Sequence, residues 1–537
     1  MIKKLETIEF DYWRIATILA ILNLSAFCIS IFFIPENIKI QYIPDDAFYY
    51  LTLSRNFALL RYWTFDSGIS VTSGFHPLFA YLLAVTFSWF QPGTSGFVLS
   101  GIALSLFFGA ASVFILTLVG FKRKDTIFLM FFAFILSSQN FIFNAISITE
   151  WSLTLFLALL YCVYFFYNFR KTFRYREPVF LFFIGFLGSI TRADFGFFPF
   201  SIAFATGLLF IAKVFSRKQV VFSLAGLIGA IMGLLGVFSH NYLFTAELLQ
   251  SSAKMKAFWA QSIPLSYFDV VDLYVKIFGT FGFFVLLLIA IRVMIFVLSK
   301  LFSETLSLKN ISSSYILLLK DSNKQVEILM IVAGSFCLFG YSLVYARNGA
   351  IQPWYSSNLI IPFMMFVFGI SGFVRSLLAE KTRLFLMLFF LVTFVFNLSV
   401  NLYPLGVNNS PWPHQEMMRE AGVYLKDNKL SLTDGRIGAW NAGIIGYYQG
   451  GQVVNLDGLV NNNIYSYAVN NDLPSYLTDQ NIIYIVDFQR MFAEEARRKR
   501  GGYNDAAFLQ NLALIKTFED NQTDNWINLS LYQLINP

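Results

Sequence analysis

Residues 96–121 read GFVLSGIALSLFFGAASVFILTLVGF and contain no charged side chain. A helix needs about 20 mainly apolar residues to cross the hydrocarbon core of a bilayer, so this run is long enough to span it. The basic residues Lys122-Arg123-Lys124 follow at once. The stretch therefore predicts a membrane-spanning helix that ends in a positively charged loop.

Runs of the same kind recur on both sides of this segment. They lie near residues 13–34, 126–147, 151–169, 178–215, 219–241, 273–299, 326–346, 354–377 and 383–404, and the 178–215 run is interrupted at 191–194 to give two. A chain of 537 residues with 57% hydrophobic and 13% charged residues is too apolar for a water-soluble core of ordinary proportions. We predict an all-α polytopic membrane domain over residues 1–404, with about eleven transmembrane helices.

The charged residues and the cysteines exclude other classes of protein. The net charge is +7, but the basic residues lie in short loops between apolar runs, where they set orientation and do not indicate nucleic-acid binding. All three cysteines lie inside apolar runs, which predicts neither a disulfide framework nor a thiolate metal site. The 13–34 run is too long for a signal peptide and predicts a retained first span.

The apolar segment His76–Phe90 decides the orientation. If it crossed the bilayer, the basic loops after residues 121, 169 and 216 would lie outside, against the positive-inside rule. We therefore predict an interfacial or re-entrant helix here, with the N-terminus in the cytoplasm. Under this topology residues 35–95 form an outer loop on the face opposite the cytoplasm.

From about residue 405 the composition becomes that of a soluble protein. Segments 436–440, 444–448, 452–456 and 481–487 are typical of short strands, and 417–425 and 490–500 are typical of helices. We predict a small soluble α/β domain over residues 405–537, on the same outer side as the 35–95 loop.

The outer loop contains two adjacent carboxylates, Asp45 and Asp46, just beyond the first span. Such a pair is costly to desolvate unless it serves as a base, binds a metal ion or anchors a cation. Asp45 is also suited to cap a helix that starts near Ala47. The sequence alone leaves these alternatives open.

A series of polar and aromatic motifs extends in order along nearly the whole chain. They are Asp45-Asp46-Ala-Phe-Tyr-Tyr, Trp63-Thr-Phe-Asp66, Thr72-Ser-Gly-Phe-His76-Pro77, Glu150, Thr191-Arg192-Ala-Asp194-Phe, Lys254, Trp354-Tyr355, Gly438-Ala-Trp440 and Asn455-Leu-Asp457-Gly-Leu. This series, and above all the loop with its two carboxylates, resembles the GT-C superfamily of membrane glycosyltransferases, which includes lipid A aminoarabinose transferases and protein O-mannosyltransferases.

This resemblance implies a GT-C type fold and a polyprenyl-phosphate sugar donor. It places the role of general base on Asp45, because a sugar hydroxyl becomes a good nucleophile when a carboxylate removes its proton. Asp46 would position Asp45, bind a divalent cation such as Mg²⁺ or Mn²⁺ together with Asp45, or only cap the helix. Glu150 is a candidate to orient the acceptor, or a helix-first-turn carboxylate favoured by the helix dipole.

A departing lipid phosphate needs cations near the outer headgroups. The candidates are Arg192, Lys254, Arg347, His76 and Arg55. The alternative for Arg and Lys is an interfacial side chain that reaches lipid phosphate. Relatives carry a cation where His76 stands, and a histidine is not reliably charged at pH 7.

Three further motifs have structural explanations. Trp354 and Tyr355 fit an aromatic belt at the membrane surface better than a sugar platform. Gly229 and Gly233 are spaced for close helix packing. For Trp440, Asn455 and Asp457 a tight turn in a small sheet is favoured over contact with substrate.

We therefore predict an inverting glycosyltransferase of the bacterial cytoplasmic membrane, acting at its periplasmic or extracytoplasmic face. The donor would be a polyprenyl-phosphate sugar, and the acceptor a cell-envelope glycan, a lipid or a protein. The alternative is a transporter or lipid flippase without bond chemistry, although such proteins keep their ionisable groups near the midplane of the bilayer. A non-catalytic scaffold is a third class, and it would need nothing from Asp45.

Overall fold

The computed structural model describes residues 2–123, 126–169, 175–261, 271, 322–346, 352–377, 395, 410–430, 435–494, 501–503, 506–519 and 528–535. Up to residue 261 the helices are α1 Ile2–Ser30, α2 Glu36–Lys39, η1 Ile40–Tyr42, α3 Asp45–Leu60, α4 Pro77–Phe90, α5 Thr94–Arg123, α6 Thr126–Leu136, α7 Gln139–Ala145, α8 Trp151–Asn168, α9 Arg176–Thr191, η2 Ala193–Gly196, α10 Phe197–Ile211, α11 Arg217–Thr245 and α12 Ser251–Gln261. Then follow α13 Ser322–Ala346, η3 Pro353–Ser356 and α14 Ser357–Leu377.

Seven of the described helices are long and apolar enough to cross a membrane, or eight if the bent pair α6 and α7 counts as one span. The axes of that pair meet at 62°. The polytopic all-α membrane domain predicted from the apolar runs is thereby confirmed. The runs predicted at 273–299 and 383–404 lie outside the described residues.

Two irregular segments lie where the sequence predicted them, at the break between two spans and at the short apolar helix after His76. Helix α9 ends at Thr191, Arg192 is extended with φ −150° and ψ 126°, and α10 begins after a short 3₁₀ turn. Helix α4 has 14 residues, fewer than the roughly 20 that a crossing needs, and its C-cap Gln91 is left-handed with φ 40°. The interruption at 191–194 and a short helix after His76 were both predicted.

Close packing of α9 against α11 requires the two glycines of the predicted motif. A Cβ added at Gly229 would meet the carbonyl oxygen of Phe182 at 2.0 Å, and one added at Gly233 would meet that of Phe186 at 2.3 Å. Since neither backbone can move away without separating the helices, the predicted packing role of these glycines is confirmed.

The C-terminal domain is a five-stranded mixed sheet flanked by helices. Its strands are β1 Arg436–Ala439, β2 Val453–Asn455, β3 Ile482–Phe488, β4 Leu512–Phe518 and β5 Leu529–Leu534, in the spatial order β2-β1-β3-β5-β4. Strand β1 is parallel to β2 and β3, whereas β5 is antiparallel to β3 and β4. Its helices are α15 Gln415–Asp427, α16 Gly443–Gln449, α17 Tyr465–Val469, α18 Leu473–Asp479, α19 Gln489–Ala493 and α20 Ala506–Gln510.

The small α/β domain is confirmed, but one predicted strand is wrong. Residues 444–448 form helix α16, which ends at Gly450 in the left-handed conformation with φ 118°. All residues of this helix are buried, and a short apolar run that is buried on every side has no periodicity that separates a helix from a strand.

Helix α16 joins the two parts of the chain, because it packs on α3. The Tyr447 hydroxyl donates to the carbonyl of Thr94 at 2.6 Å, and the Tyr448 hydroxyl donates to Glu36 at 2.6 Å. The Phe48 ring lies 5.4 Å from that of Tyr447. The first turn of α3, which carries Asp45 and Asp46, therefore lies directly beneath the C-terminal domain.

Candidate functional site

Two adjoining cavities lie at the border between the membrane helices and the C-terminal domain. The first, the cation cavity, has a volume of about 240 Å³ and is lined by Asp46, Tyr50, His76, Glu150, Arg192 and Lys256, among others. The second, the aromatic cavity, has a volume of about 160 Å³ and is lined by Asp45, Asp46, Trp259, Trp354, Trp440 and Asp457, among others. Both are lined by Asp46, Tyr49, Lys256, Trp354 and Leu459.

Asp45 is held by the C-terminal domain. Its Oδ1 accepts a hydrogen bond from the amide of Ile444 at 2.7 Å, and its Oδ2 accepts one from the amide of Gly443 at 3.3 Å. Asp45 does not cap its own helix, whose N-cap is Pro44 without a side-chain hydrogen bond. The capping alternative is thus wrong for α3, and the carboxylate instead meets the first amides of α16.

The environment of Asp45 suits proton transfer near neutral pH. Removal from bulk water, with a smaller contribution from the carboxylates of Asp46 and Asp457, raises the pKa of Asp45 to about 7, although the two backbone amides oppose the shift. A base works best when its pKa lies near the operating pH. Asp45 therefore has the electrostatics of a general base.

Asp457 forms a second carboxyl site close by. Its Oδ2 accepts from the Tyr49 hydroxyl at 2.9 Å, and its Oδ1 accepts from the amide of Leu459 at 2.7 Å. Burial raises the pKa of Asp457 to about 7. The Tyr49 hydroxyl also accepts from the amide of Ala442 at 3.2 Å, so α3 is hydrogen-bonded to two loops of the domain.

Asp46 faces a cation and not the backbone. Burial raises its pKa, while the charge of Lys256 lowers it in part. The Lys256 ammonium donates to the Tyr355 hydroxyl at 2.7 Å. Burial alone would lower the pKa of Lys256, but Tyr355 and Asp46 outweigh it and raise the pKa, so this side chain is charged at pH 7.

A buried ion-pair network forms the opposite wall of the cation cavity. Arg192 Nη1 donates to Glu150 at 2.7 Å, and Nε and Nη2 form a bidentate pair with Asp194 at 2.9 Å each. The Tyr50 hydroxyl donates to the second oxygen of Glu150 at 2.8 Å. Burial would raise the pKa of Glu150, but the charge of Arg192 and the hydrogen bond from Tyr50 lower it overall. Glu150 is therefore ionised, and it orients Arg192.

His76 completes this wall as a neutral side chain. Its Nε2 lies 3.7 Å from Glu150, and burial lowers its pKa below the usual value. It therefore adds a polar ring to the cavity but no positive charge at pH 7.

The structure gathers five of the eight predicted site residues at the two cavities, namely Asp45, Asp46, His76, Glu150 and Arg192. Lys254 points elsewhere and pairs with Glu247 at 2.5 Å. Arg55 packs over the ring of Tyr447, 5.5 Å from its centre. Neither lines the two cavities, and Arg347 lies outside the described residues.

Other positions differ from their sequence interpretation. Lys256 was missed, because two lysines two residues apart on one helix give no sign of which faces inward. Trp354 is 6% exposed and lines both cavities, so it does not belong to a lipid-facing belt. Trp440 and Asp457 line the aromatic cavity, whereas Asn455 accepts from the amide of Gly458 and serves the turn.

The described residues do not favour a metal site at the acidic pair. No group of three or more His, Cys, Asp or Glu side chains within the described part of the chain is arranged to hold a metal ion. The main neighbouring charge of Asp46 is the Lys256 ammonium, so a cation already faces this carboxylate. The donor set therefore does not fit a divalent cation.

The fold is similar to that of solved membrane glycosyltransferases. ArnT from Cupriavidus metallidurans bound to undecaprenyl phosphate matches with a TM-score of 0.54 at 10% identity, covering 96% of this chain and 99% of that one. The same protein in the apo state gives a TM-score of 0.52 at 9% identity, with the same coverage. At such identities the likeness shows the fold alone, and it agrees with the fold that was expected from the sequence.

Two further matches are weaker or cover less of the chain. The apo oligosaccharyltransferase of Archaeoglobus fulgidus matches with a TM-score of 0.49 at 11% identity, covering 89% of this chain and 70% of that one. Residues 409–530 match a family described as a domain of unknown function, DUF8728. No curated protein matches the sequence.

Proposed function

We propose that this protein is an inverting membrane glycosyltransferase that takes a sugar from a polyprenyl-phosphate carrier. One observation carries the proposal: the acidic pair lies where a cavity that contains Arg192 and Lys256 meets a cavity lined by aromatic rings. Cations suit a phosphate leaving group, and aromatic rings suit the apolar face of a sugar. The shared fold with ArnT, which was solved with undecaprenyl phosphate, supports a carrier of the same kind.

In the proposed reaction Asp45 accepts the proton of an acceptor hydroxyl. That oxygen forms a bond to the anomeric carbon while the bond from this carbon to the phosphate oxygen breaks on the opposite face. Two amide hydrogen bonds fix the Asp45 rotamer and still leave lone pairs free, since a carboxylate has about four acceptor positions. Direct displacement inverts the anomeric configuration.

The leaving polyprenyl phosphate gains negative charge, which Lys256 and Arg192 would stabilise. Lys256 is half-buried and charged, and it lies beside Asp46, which supports a role near the proposed reacting centre. Arg192 is fixed by Glu150 and Asp194, so it would contribute its field without moving. A preorganised charge is effective because it needs no reorganisation during the reaction.

A transfer assay with purified protein in lipid nanodiscs and polyprenyl-phosphate sugars tests the proposal. Asp45→Asn should lower turnover by about 100-fold or more, the usual contribution of a general base. Glu420→Gln, an exposed carboxylate of α15, is the matched control and should keep full activity. Transfer by Asp45→Asn within about three-fold of the wild type would remove Asp45 from the role of base.

A second control separates catalysis from docking of the C-terminal domain. Tyr448→Phe removes the hydrogen bond to Glu36 but leaves both carboxylates of the acidic pair in place. If Tyr448→Phe lost as much activity as Asp45→Asn, the effect of the latter would be one of domain docking. Activity within about three-fold of wild type is expected, because the substitution removes one contact at the edge of the interface and leaves the contacts of Asp45 intact.

The proposed location of the site on the outer face has its own test. All three natural cysteines are buried, so a single introduced cysteine reports without background. In right-side-out vesicles a membrane-impermeant maleimide should label Glu420→Cys and spare Lys122→Cys, at the opposite end of a span. The reverse pattern would place the acidic pair in the cytoplasm, where the proposed carrier chemistry does not apply.

A further inference from the structure

The aromatic cavity has a composition that identifies its ligand class. It is lined by Trp259, Trp354, Trp412 and Trp440, four of the nine tryptophans in the chain. The rings of Trp259, from α12, and Trp440, from the C-terminal domain, lie 5.5 Å apart and are tilted by 34°. Tryptophan faces supply broad, rigid apolar contact area, while the indole N–H adds a polar edge.

The polar groups that line the aromatic cavity are suited to hydrogen bonds with hydroxyl groups. Asp45, Asp46 and Asp457 offer carboxyl oxygens, which accept from hydroxyl groups in strong, charge-assisted bonds. The Asn441 Nδ2 is buried and has no hydrogen-bond partner among the described residues. A buried donor without a partner is costly, so a ligand oxygen that accepts from Asn441 would be bound favourably.

Charge disfavours an anionic ligand here. Among the described lining residues three carboxyl groups face a single ammonium group, that of Lys256. A phosphate or a carboxylate would meet the charge of Asp46 and the ionised fractions of Asp45 and Asp457, whose pKa values are about 7. The neighbouring cation cavity adds the Arg192 guanidinium to Lys256 and is the better place for phosphate.

The volume limits the size of the ligand. The aromatic cavity, at about 160 Å³, is smaller than the cation cavity, at about 240 Å³, and suits a small, compact ligand.

We propose that the aromatic cavity binds the acceptor, and that the acceptor is the neutral terminal sugar of a glycan, stacked on Trp440 and Trp259 and hydrogen-bonded by Asn441. The assignment rests on the proposed transferase function and adds the acceptor class to it. It places the acceptor hydroxyl beside Asp45, while the donor phosphate occupies the cation cavity. The three carboxyl groups would then accept hydrogen bonds from sugar hydroxyl groups, and the Asn441 amide would donate one to a sugar oxygen.

Direct binding tests the acceptor assignment without any transfer. Saturation-transfer NMR on protein in nanodiscs, free of glycoside detergents, would compare neutral methyl pyranosides with sugar phosphates and uronic acids. Neutral pyranosides should bind, and Trp440→Ala and Asn441→Ala should each weaken binding by about ten-fold, the effect of one lost hydrogen bond or ring contact. Trp89→Ala, a tryptophan that is 78% exposed on α4, is the matched control and should bind as the wild type does.

Turnover then distinguishes acceptor from donor site. With a polyprenyl-phosphate sugar present, the bound pyranoside should be converted to a disaccharide, one for each carrier phosphate released. Inhibition without consumption, tighter binding of sugar phosphates, or unchanged binding in both Trp440→Ala and Asn441→Ala would each overturn the acceptor assignment. Transfer by the wild type and by Asp45→Asn, measured with a native membrane extract as the source of acceptor, tests the transferase function separately, since it does not depend on which acceptor is used.

Discussion

The pH dependence of transfer tests the electrostatics of the acidic pair most directly. The pKa of about 7 for Asp45 means that about one tenth of the carboxyl groups are ionised at pH 6 and about nine tenths at pH 8. Only the ionised form can accept the proton of the acceptor. We therefore expect kcat/KM to rise about ten-fold between these two pH values, on the acid limb of the profile.

The structure also predicts how this profile can be moved. Asp457 is one of the two carboxylates that raise the pKa of Asp45, and its replacement by asparagine keeps a side chain that can accept from Tyr49. Asp457→Asn should therefore shift the acid limb toward lower pH, leaving the plateau at high pH within a few-fold of wild type. A Glu420→Gln control, remote from both cavities, should leave the midpoint unchanged.

The assay is steady-state turnover in nanodiscs from pH 5 to pH 9 at constant ionic strength, with melting curves to verify folding at each pH. A midpoint near 4 would show that Asp45 is as well solvated as a surface carboxylate. That result would contradict the general-base argument, because such a group would be a weak base at pH 7. A shift toward higher pH in Asp457→Asn would contradict the charge coupling between the two carboxyl groups.

Three further outcomes are expected. Lys256→Met should raise the KM for the donor by about ten-fold or more, since it removes a charge-assisted contact to phosphate. Lys254→Met, two residues away and paired with Glu247, should keep the KM within about two-fold of wild type. Equal effects of the two substitutions would contradict the proposed contact of Lys256 with phosphate. With EDTA present, transfer by the wild type, measured as release of the carrier phosphate, should stay within about two-fold of the rate without EDTA. A loss of activity that Mg²⁺ or Mn²⁺ restores would instead support metal binding by Asp46. Burial raises the pKa of Asp487 to about 7, so the native state binds more protons than the unfolded state between about pH 4 and 7. The free energy of unfolding should therefore fall as pH rises through that window, and Asp487→Asn should flatten this fall in thermal melting. An unchanged slope in the variant would contradict the raised pKa of Asp487.

The membrane architecture was predictable from sequence because hydrophobic length is a one-dimensional signal. The apolar runs, the interruption at 191–194 and the short helix after His76 all have direct local causes. Three strands of the C-terminal domain also followed from local pattern. Helix α16 was mistaken for a strand because its residues are buried on every side, which removes the periodicity on which such predictions depend.

Only part of the candidate site was predictable, because it depends on how distant helices pack and not on local sequence pattern. Glu150 and Arg192 were recognised singly, but their pairing joins residues from two helices and is a property of packing. The choice of Lys256 over Lys254 depends on the rotation of α12 about its axis, which the sequence does not contain. Trp354 was assigned to a lipid-facing belt because a tryptophan near a span end usually lies there, yet it is buried and lines both cavities.

The contacts of Asp45 explain why the outer loop and the C-terminal domain must be considered together. The carboxylate lies on α3, but the amides that orient it belong to α16, about 400 residues later in the chain. Tyr49, one turn further along α3, is likewise held by Asp457 and Ala442. A side chain fixed by amides of a second domain keeps its low-dielectric surroundings only while that domain is docked. The raised pKa on which the base depends is therefore a property of the closed interface and not of the loop, and any displacement of α16 would expose Asp45 to water and lower its basicity together with its alignment.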